Sequence, residues 1–420
     1  MQREQIVFVG TSDLSGHFRG KSFPAADLPA RLQRGIGLAP TNIFISAFGP
    51  IQMTTFGTVG EVFLVPDLET RVFVAFEGGA PEHFLVGDIK TSEGVPWNFC
   101  PRHILRRALD RLAAENSLRL LATFEQEFNY SGVSAQGWQP YDLDSYRRQG
   151  IFGEALISAM RQAGVIPDSL LAEFGTRQYE VTSAPALGLR AADNAVITRQ
   201  LAQAVAHRLG HRVSFCPIPE PDGTGNGTHI HWSFLDETER AVLYDEKGPW
   251  YLSTLGRQFV AGVQHHLPVL CAITTPSVAS YFRLRPNRWA PVRADVAPLD
   301  RGAAIRISPV SGKDPSVHAR QFNVEFRVAD ATASPYLVLA MLVQAGLDGV
   351  RRGLDIETQR PAALPAGLDE ALRLLEQSRA AADWLGAEVH SAYVAFKRAE
   401  LDGLRDLNEG EICRRYQEAY

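Results

Sequence analysis

From Gln5 to about Asp88 the apolar positions come in short runs broken by Gly, Pro and Asp: Ile6-Val7-Phe8-Val9, Asn42-Ile43-Phe44-Ile45 and Arg71-Val72-Phe73-Val74-Ala75-Phe76. Runs of this kind between turn formers predict β-strands, and so a small β-rich N-terminal domain. At Pro101 the period changes. Ile104, Leu105, Ala108, Leu109 and Leu112 recur at helical spacing through Arg102 to Glu115, and a strand is predicted over Arg119 to Phe128. Val196, Leu201, Val205 and Leu209 form the apolar face of a further helix, with Asp193 as its predicted N-cap and Gly210 as its stop. After the Pro-containing linker Arg360 to Pro365, the Ala-, Leu- and Glu-rich stretch Gly367 to Leu407 is again helical in period. The pattern predicts an α+β fold in two domains, residues 1–95 and 96–420.

Composition adds exclusions. With 42 Lys and Arg against 47 Asp and Glu and no basic block, the chain carries no nucleic-acid footprint. Cys100, Cys216, Cys271 and Cys413 are too scattered for a disulfide framework or a zinc knuckle, and read as buried free thiols. No signal pattern opens the chain, and the longest apolar run, Leu337 to Val343, is far short of a membrane span. A cytoplasmic protein without a membrane partner is expected.

Chemistry concentrates in three predicted strands, each with two polar residues two positions apart: Glu125 and Glu127, His229 and His231, Glu325 and Arg327. Side chains alternate across a strand, so each pair projects to one face, and the three could line a single funnel. Carboxylates and imidazoles together suit Mg²⁺ or Mn²⁺. For any one pair, a polar solvent face on an edge strand is an equal alternative. Gly223, Gly225 and Gly227 lead into a strand, not a helix, which excludes a dinucleotide fingerprint and leaves either a close backbone approach to a ligand or a plain turn. Arg283, Arg285, Arg288, Arg293, Arg301 and Arg306 crowd a Pro-rich segment, as a phosphate- and carboxylate-binding set or as a solvated surface.

In order along the chain, Phe-Glu125-Gln-Glu127-Phe, Tyr179-Glu180-Val181, Gly225-Asn-Gly-Thr-His229-Ile-His231-Trp-Ser233, Ser280-Tyr-Phe-Arg283-Leu284, Ile305-Arg306 and Val324-Glu325-Phe-Arg327 resemble the successive blocks of the glutamine synthetase family, class I type. Asp13-Leu-Ser-Gly, Arg19-Gly-Lys21 and Val65-Pro66-Asp67 resemble its N-terminal part. The resemblance implies a β-grasp domain followed by a catalytic domain built on a curved antiparallel sheet flanked by helices. It implies an ATP-dependent ligase that phosphorylates the γ-carboxylate of glutamate, and a ring oligomer, hexamer or dodecamer. By position, Glu125, His229 and Glu325 match one metal site, and Glu127 and Glu180 the other. His231 and Ser233 match nucleotide contacts, Arg301 and Arg306 the grip on the transferring phosphate, Arg283 and Arg327 the hold on substrate carboxylate, and Gly225 a backbone contact to the amino acid. Arg301 and Arg327 are the expected catalytic residues.

Four positions depart from the family pattern. The third acid of the glutamate-side metal site, sought eight residues after Glu180, falls at Gly188, with Asp295 or Asp300 as replacements. The flap glutamate aligns with Trp289, expected to meet substrate as an apolar or cation-π wall. The ammonium-binding Asp has no match in Phe44 to Met53, and the loop Asn falls at Thr224. Loss of negative groups weakens capture of ammonium, so an organic amine is the expected nucleophile and a γ-glutamylamide the product. A glutamine synthetase using ammonia and a catalytically degenerate scaffold are the alternatives. Glu325→Ala is expected to abolish turnover while leaving the fold intact.

Overall fold

A computed structural model describes residues 3–51, 56–77, 79–312 and 314–420; Gln52 and Met53 of the loop considered above lie outside them. Among the described residues, the N-terminal sheet has strands β1 (Ile6–Ser12), β2 (Phe18–Pro24), β3 (Ile36–Leu38), β4 (Val62–Pro66), β5 (Val72–Val74) and β6 (Glu82–Lys90) in the order β2-β1-β6-β4-β3, with β5 on β6. β1 runs parallel to β6 and every other pair is antiparallel. The run Asn42 to Ile45 is not a strand. Pro40 opens a 3₁₀ turn, Pro40–Phe44, which carries Phe44 into a cluster with Phe99 and Phe396.

Helix Pro101–Asn116 follows as expected, with Pro at its first position, where the missing N–H costs nothing. Arg102 in its first turn is buried and donates to Asp67 and Asp88 of the N-terminal domain and to Asp193 of the catalytic domain, at 2.7–3.0 Å. Asp193 is therefore not an N-cap. Helix Leu189–Arg208 begins a turn earlier at Gly188, and Asp193 sits buried inside it, also accepting from the Tyr336 hydroxyl at 2.7 Å.

The catalytic sheet is made of β7 (Arg119–Tyr130), β8 (Pro167–Ala172), β9 (Gln178–Ser183), β10 (Ala186–Leu187), β11 (Val213–Ser214), β12 (Thr228–Leu235), β13 (Val296–Pro298), β14 (Ile305–Ile307) and β15 (Val324–Phe326). Their order is β13-β14-β15-β12-β7-β9-β8, with β10 and β11 on β7. All pairs are antiparallel except β13 with β14. Along β7, Leu120, Ala122, Phe124, Phe128 and Tyr130 are buried, while Glu125 and Glu127 alternate to the other face. The predicted C-terminal helix is three, Leu368–Gln377, Arg379–Leu385 and Ala387–Asp402, divided at Ser378 and Gly386. All four cysteines are buried and free. No described helix is long and apolar enough to cross a membrane.

Candidate active site

Strand register assembles the site. Glu180 on β9 lies opposite Glu127 on β7, Glu125 opposite His229 on β12, His231 opposite Glu325 on β15, and Glu325 opposite Arg306 on β14. The three polar pairs thus share one face of five adjoining strands. His229 Nδ1 is 3.3 Å from Glu125 and 3.5 Å from Glu325, and its Nε2 is 3.8 Å from Glu127. His231 Nε2 is 3.0 Å from Glu125.

Two groups of ligand atoms lie within 4.8 Å of one another: Glu125, His231 and Glu325, and Glu125, Glu180 and His229. Glu125 belongs to both; His231 stands where His229 was expected beside Glu325, His229 falls in the set with Glu180, and Glu127 is in neither. Oxygen-rich sets with one imidazole each suit a hard divalent cation such as Mg²⁺ or Mn²⁺. Electrostatics agree. Like charges opposite each other on paired strands, as at Glu127 and Glu180, are destabilising without a cation between them.

Burial opposes the charge on Glu125, yet hydrogen bonds and attraction from His229 and His231 hold its carboxyl well below the usual range. Burial likewise opposes the charge on Glu325, and the two imidazoles with Arg327 and Arg306 outweigh it. Glu180 behaves in the opposite way: burial, reinforced by Glu125, Glu127, Glu173 and Glu325, pushes it well above the ordinary value. Its contribution to stability is therefore present below the ordinary carboxylate value and lost as pH rises through the raised one. A cation that takes Glu180 as a ligand must displace its proton. Mn²⁺ is expected to raise the unfolding temperature more at about pH 7.5 than at about pH 5.5; equal shifts in a thermal melt would contradict Glu180 as a ligand.

A cavity of about 340 Å³ adjoins the cluster, lined at its inner end by Glu127, His229, Arg283 and Arg327 and at its mouth by Glu173, Phe174, Thr224 and Trp289. Gly225 is on its wall because nothing larger fits: a Cβ there would come within 2.4 Å of the Arg283 side chain. Gln178 holds this wall, donating to Gly225 O and Asn226 at 2.8 Å and to Glu127 at 3.2 Å. Arg283 is buried and donates to Ala329 O at 3.1 Å and to Val328 O. The Nε atoms of Arg283 and Arg327 are buried without a protein partner, so a ligand in this cavity finds polar atoms to receive it; the Ser233 hydroxyl, further along β12, is likewise buried and unpartnered.

The expectations for Arg301, Gly188, Asp295, Asp300 and Glu325 meet a different arrangement. Arg301 does not line the cavity; it is exposed in the turn between β13 and β14, within electrostatic reach of Tyr141, which donates to Glu173. Gly188 is no part of the site either; it caps a helix at φ 50° and faces Leu109. Asp295 and Asp300 do not line the cavity: Asp295 accepts from Ala304 N across the β13–β14 connection, and Asp300 from Gly302 N within its turn. The further carboxylate comes from before Glu180: Glu173, at the turn between β8 and β9, lines the cavity and accepts from the Tyr141 hydroxyl at 2.8 Å. Burial first and Glu127 second raise its carboxyl above the ordinary value. Glu325 is also more than a ligand. It is wholly buried and accepts from both Arg306 and Arg327, so the expectation that Ala at this position spares the fold does not hold.

The glutamine synthetase catalytic-domain model matches residues 98–416, and the glutamine synthetase N-terminal domain model matches residues 1–97. Fold, site and these matches make the protein an ATP-dependent ligase that forms C–N bonds. The chain belongs to the glutamine synthetase family. It is 31% identical to a gamma-glutamylpolyamine synthetase of Streptomyces coelicolor, over 99% of this chain and 93% of that one. To the glutamine synthetase of Pyrococcus furiosus it is 29% identical, over 94% and 89% of the two chains. Among solved structures, the crystal structure of a novel glutamine synthase homolog superposes with a TM-score of 0.95 at 37% identity, covering 100% of this chain and 99% of that one. GmaS without ligand superposes at 0.83 with 26% identity, over 97% and 95%. Members of the family use ATP and a divalent metal, and take glutamate with ammonia or an amine.

Proposed function

We propose that this protein uses ATP to phosphorylate the γ-carboxylate of glutamate, or of a similar acid, and couples it to an organic amine to give a γ-glutamylamide. The observation that carries this reading is Trp289, an indole 74% exposed on the wall of the cavity that also holds Arg283 and Arg327. An indole can bind a carbon body or a cation by its face but supplies no negative charge and no base. Similarity to a gamma-glutamylpolyamine synthetase supports the same reading.

In this reading Glu125, His231 and Glu325 would hold one cation and Glu125, Glu180 and His229 a second, with Glu127 and Glu173 adding carboxylates beside them. Bound there, Mg²⁺ or Mn²⁺ would offset charge on the phosphate oxygens and on the carboxylate that attacks them. Ser233 and His231 contact the nucleotide. Arg283 and Arg327 orient the acid so that one carboxylate oxygen attacks the terminal phosphorus and ADP leaves. The amine nitrogen then attacks the acyl carbon, phosphate departs with the C–O electron pair, and the nitrogen gives up a proton to a carboxylate of the cavity. Arg306, buried beside Glu325, steadies the phosphoryl group, and Arg301 is the second guanidinium assigned to it. The buried guanidiniums carry most of this work by being fixed before substrate arrives.

A second reading, a glutamine synthetase that uses ammonia, is favoured by Glu173, which keeps one carboxylate at the cavity mouth. Phosphate release from ATP and glutamate, with ammonia set against alkyl, aryl and polyamines, separates the two. The organic amines are expected to exceed ammonia by about tenfold or more in kcat/KM. Turnover with ammonia alone would establish the second reading.

A further inference from the structure

Phe174 lies at the turn that follows β8 and is 55% exposed, beside Trp289 at 74%. Its ring centroid is 6.1 Å from that of Trp289, with the two planes tilted by 36°. On its other side it meets the Tyr141 ring edge-on at 5.5 Å. The row is held from both ends. Tyr141 is fastened to Glu173, and Arg288, the neighbour of Trp289, donates to Gly223 O and Pro221 O at 2.8 Å and to Asp222 at 3.0 Å. These bonds fix the residues that flank the two rings, and both Phe174 and Trp289 line the same cavity as Arg283 and Arg327.

Resting on the ligase reading above, we propose that Phe174 and Trp289 form a sleeve for the carbon body of the amine, which makes chain length the determinant of specificity. The class selected is a primary amine with a body of about four carbons or more, its nitrogen directed inward past Glu173 and its methylenes lying against the two rings. Ammonia and methylamine reach the nitrogen position but leave the rings wet. Because each buried methylene is worth roughly a fourfold gain in affinity, the preference should appear as a slope along a homologous series.

The test is kcat/KM for methylamine, ethylamine, propylamine and butylamine with ATP and glutamate, in the intact protein and in Phe174→Ala and Trp289→Ala. Both side chains are exposed, so neither variant opens a core cavity. Expected are a rise of about threefold to fourfold per methylene in the intact protein and a slope below about twofold in each variant. The double variant should lose no more than the larger single loss, as befits two walls of one sleeve. A flat series in the intact protein, with turnover present, would overturn the sleeve and leave the ligase reading standing. So would an unchanged slope in both variants, or a change in oligomeric state by light scattering with the slope unchanged, which would give the ring pair to a subunit contact. No turnover with ammonia or any amine would remove the ligase reading and the sleeve with it.

Discussion

Glu325→Ala is expected to abolish ATP-dependent phosphate release, by about a thousandfold or more, and in the same step to cost about 3–5 kcal/mol of folding stability. The two losses have separate origins. Turnover falls because Glu325 is a member of a candidate cation-binding set with Glu125 and His231. Stability falls because Arg306 and Arg327, both buried, are left without the carboxylate they share. Glu125→Gln separates the effects. The Glu125 side chain is 23% exposed and has no guanidinium partner among the described contacts, so an amide there should remove turnover while changing stability by about 1 kcal/mol. Denaturant titrations beside phosphate-release assays measure both. Full activity in a folded Glu325→Ala protein would dismiss the metal assignment, and an unchanged unfolding midpoint would dismiss the buried ion triad.

Arg102→Ala is expected to destabilise the protein by a similar amount, about 3–5 kcal/mol, although it is remote from the chemistry. This guanidinium is 2% exposed and holds Asp67, Asp88 and Asp193, so its removal strands the buried Asp193, 3% exposed, and breaks the tie to the half-buried Asp67 and Asp88 across the domain boundary. Arg102→Lys should recover only part of the loss, because an ammonium cannot reproduce the fork that meets both oxygens of Asp193. A change below about 1 kcal/mol in urea denaturation would show that the three carboxylates are satisfied some other way.

What the sequence made legible follows from local physics. Strand β7 and helix Pro101–Asn116 were readable because their apolar period agrees with their burial; alternation alone puts the members of each polar pair on one face, and strand register brings the three pairs together. Asn42 to Ile45 misled because its period is too short to separate a strand from a 3₁₀ turn, and contacts with Phe99 and Phe396 decided the matter. Asp193 looked like a cap because short acids favour that position, while its true partner, Arg102, is ninety-one residues away. Glu173 was missed for a geometric reason. In the hairpin of β8 and β9, the Glu173 amide bonds to Gln178 O at 2.8 Å, so an acid before the turn comes back beside one after it. The signal was present in Glu173-Phe-Gly175, a turn-forming acid just ahead of a strand with another.

β7 also sets a length. Glu125 and Glu127 are two residues apart on one unbroken strand, and a strand advances about 3.3 Å per residue, so their α-carbons are held roughly 7 Å apart by backbone geometry alone. That span is rigid, because hydrogen bonds to β9 and β12 fasten both edges of the strand at these positions. The spacing between these two carboxylates in the funnel is thus inherited from the pleat and does not depend on how substrates seat. One residue inserted between them would turn Glu127 toward the buried face and bring Gln126 or its neighbour into the funnel, so the ruler and the core can change only together.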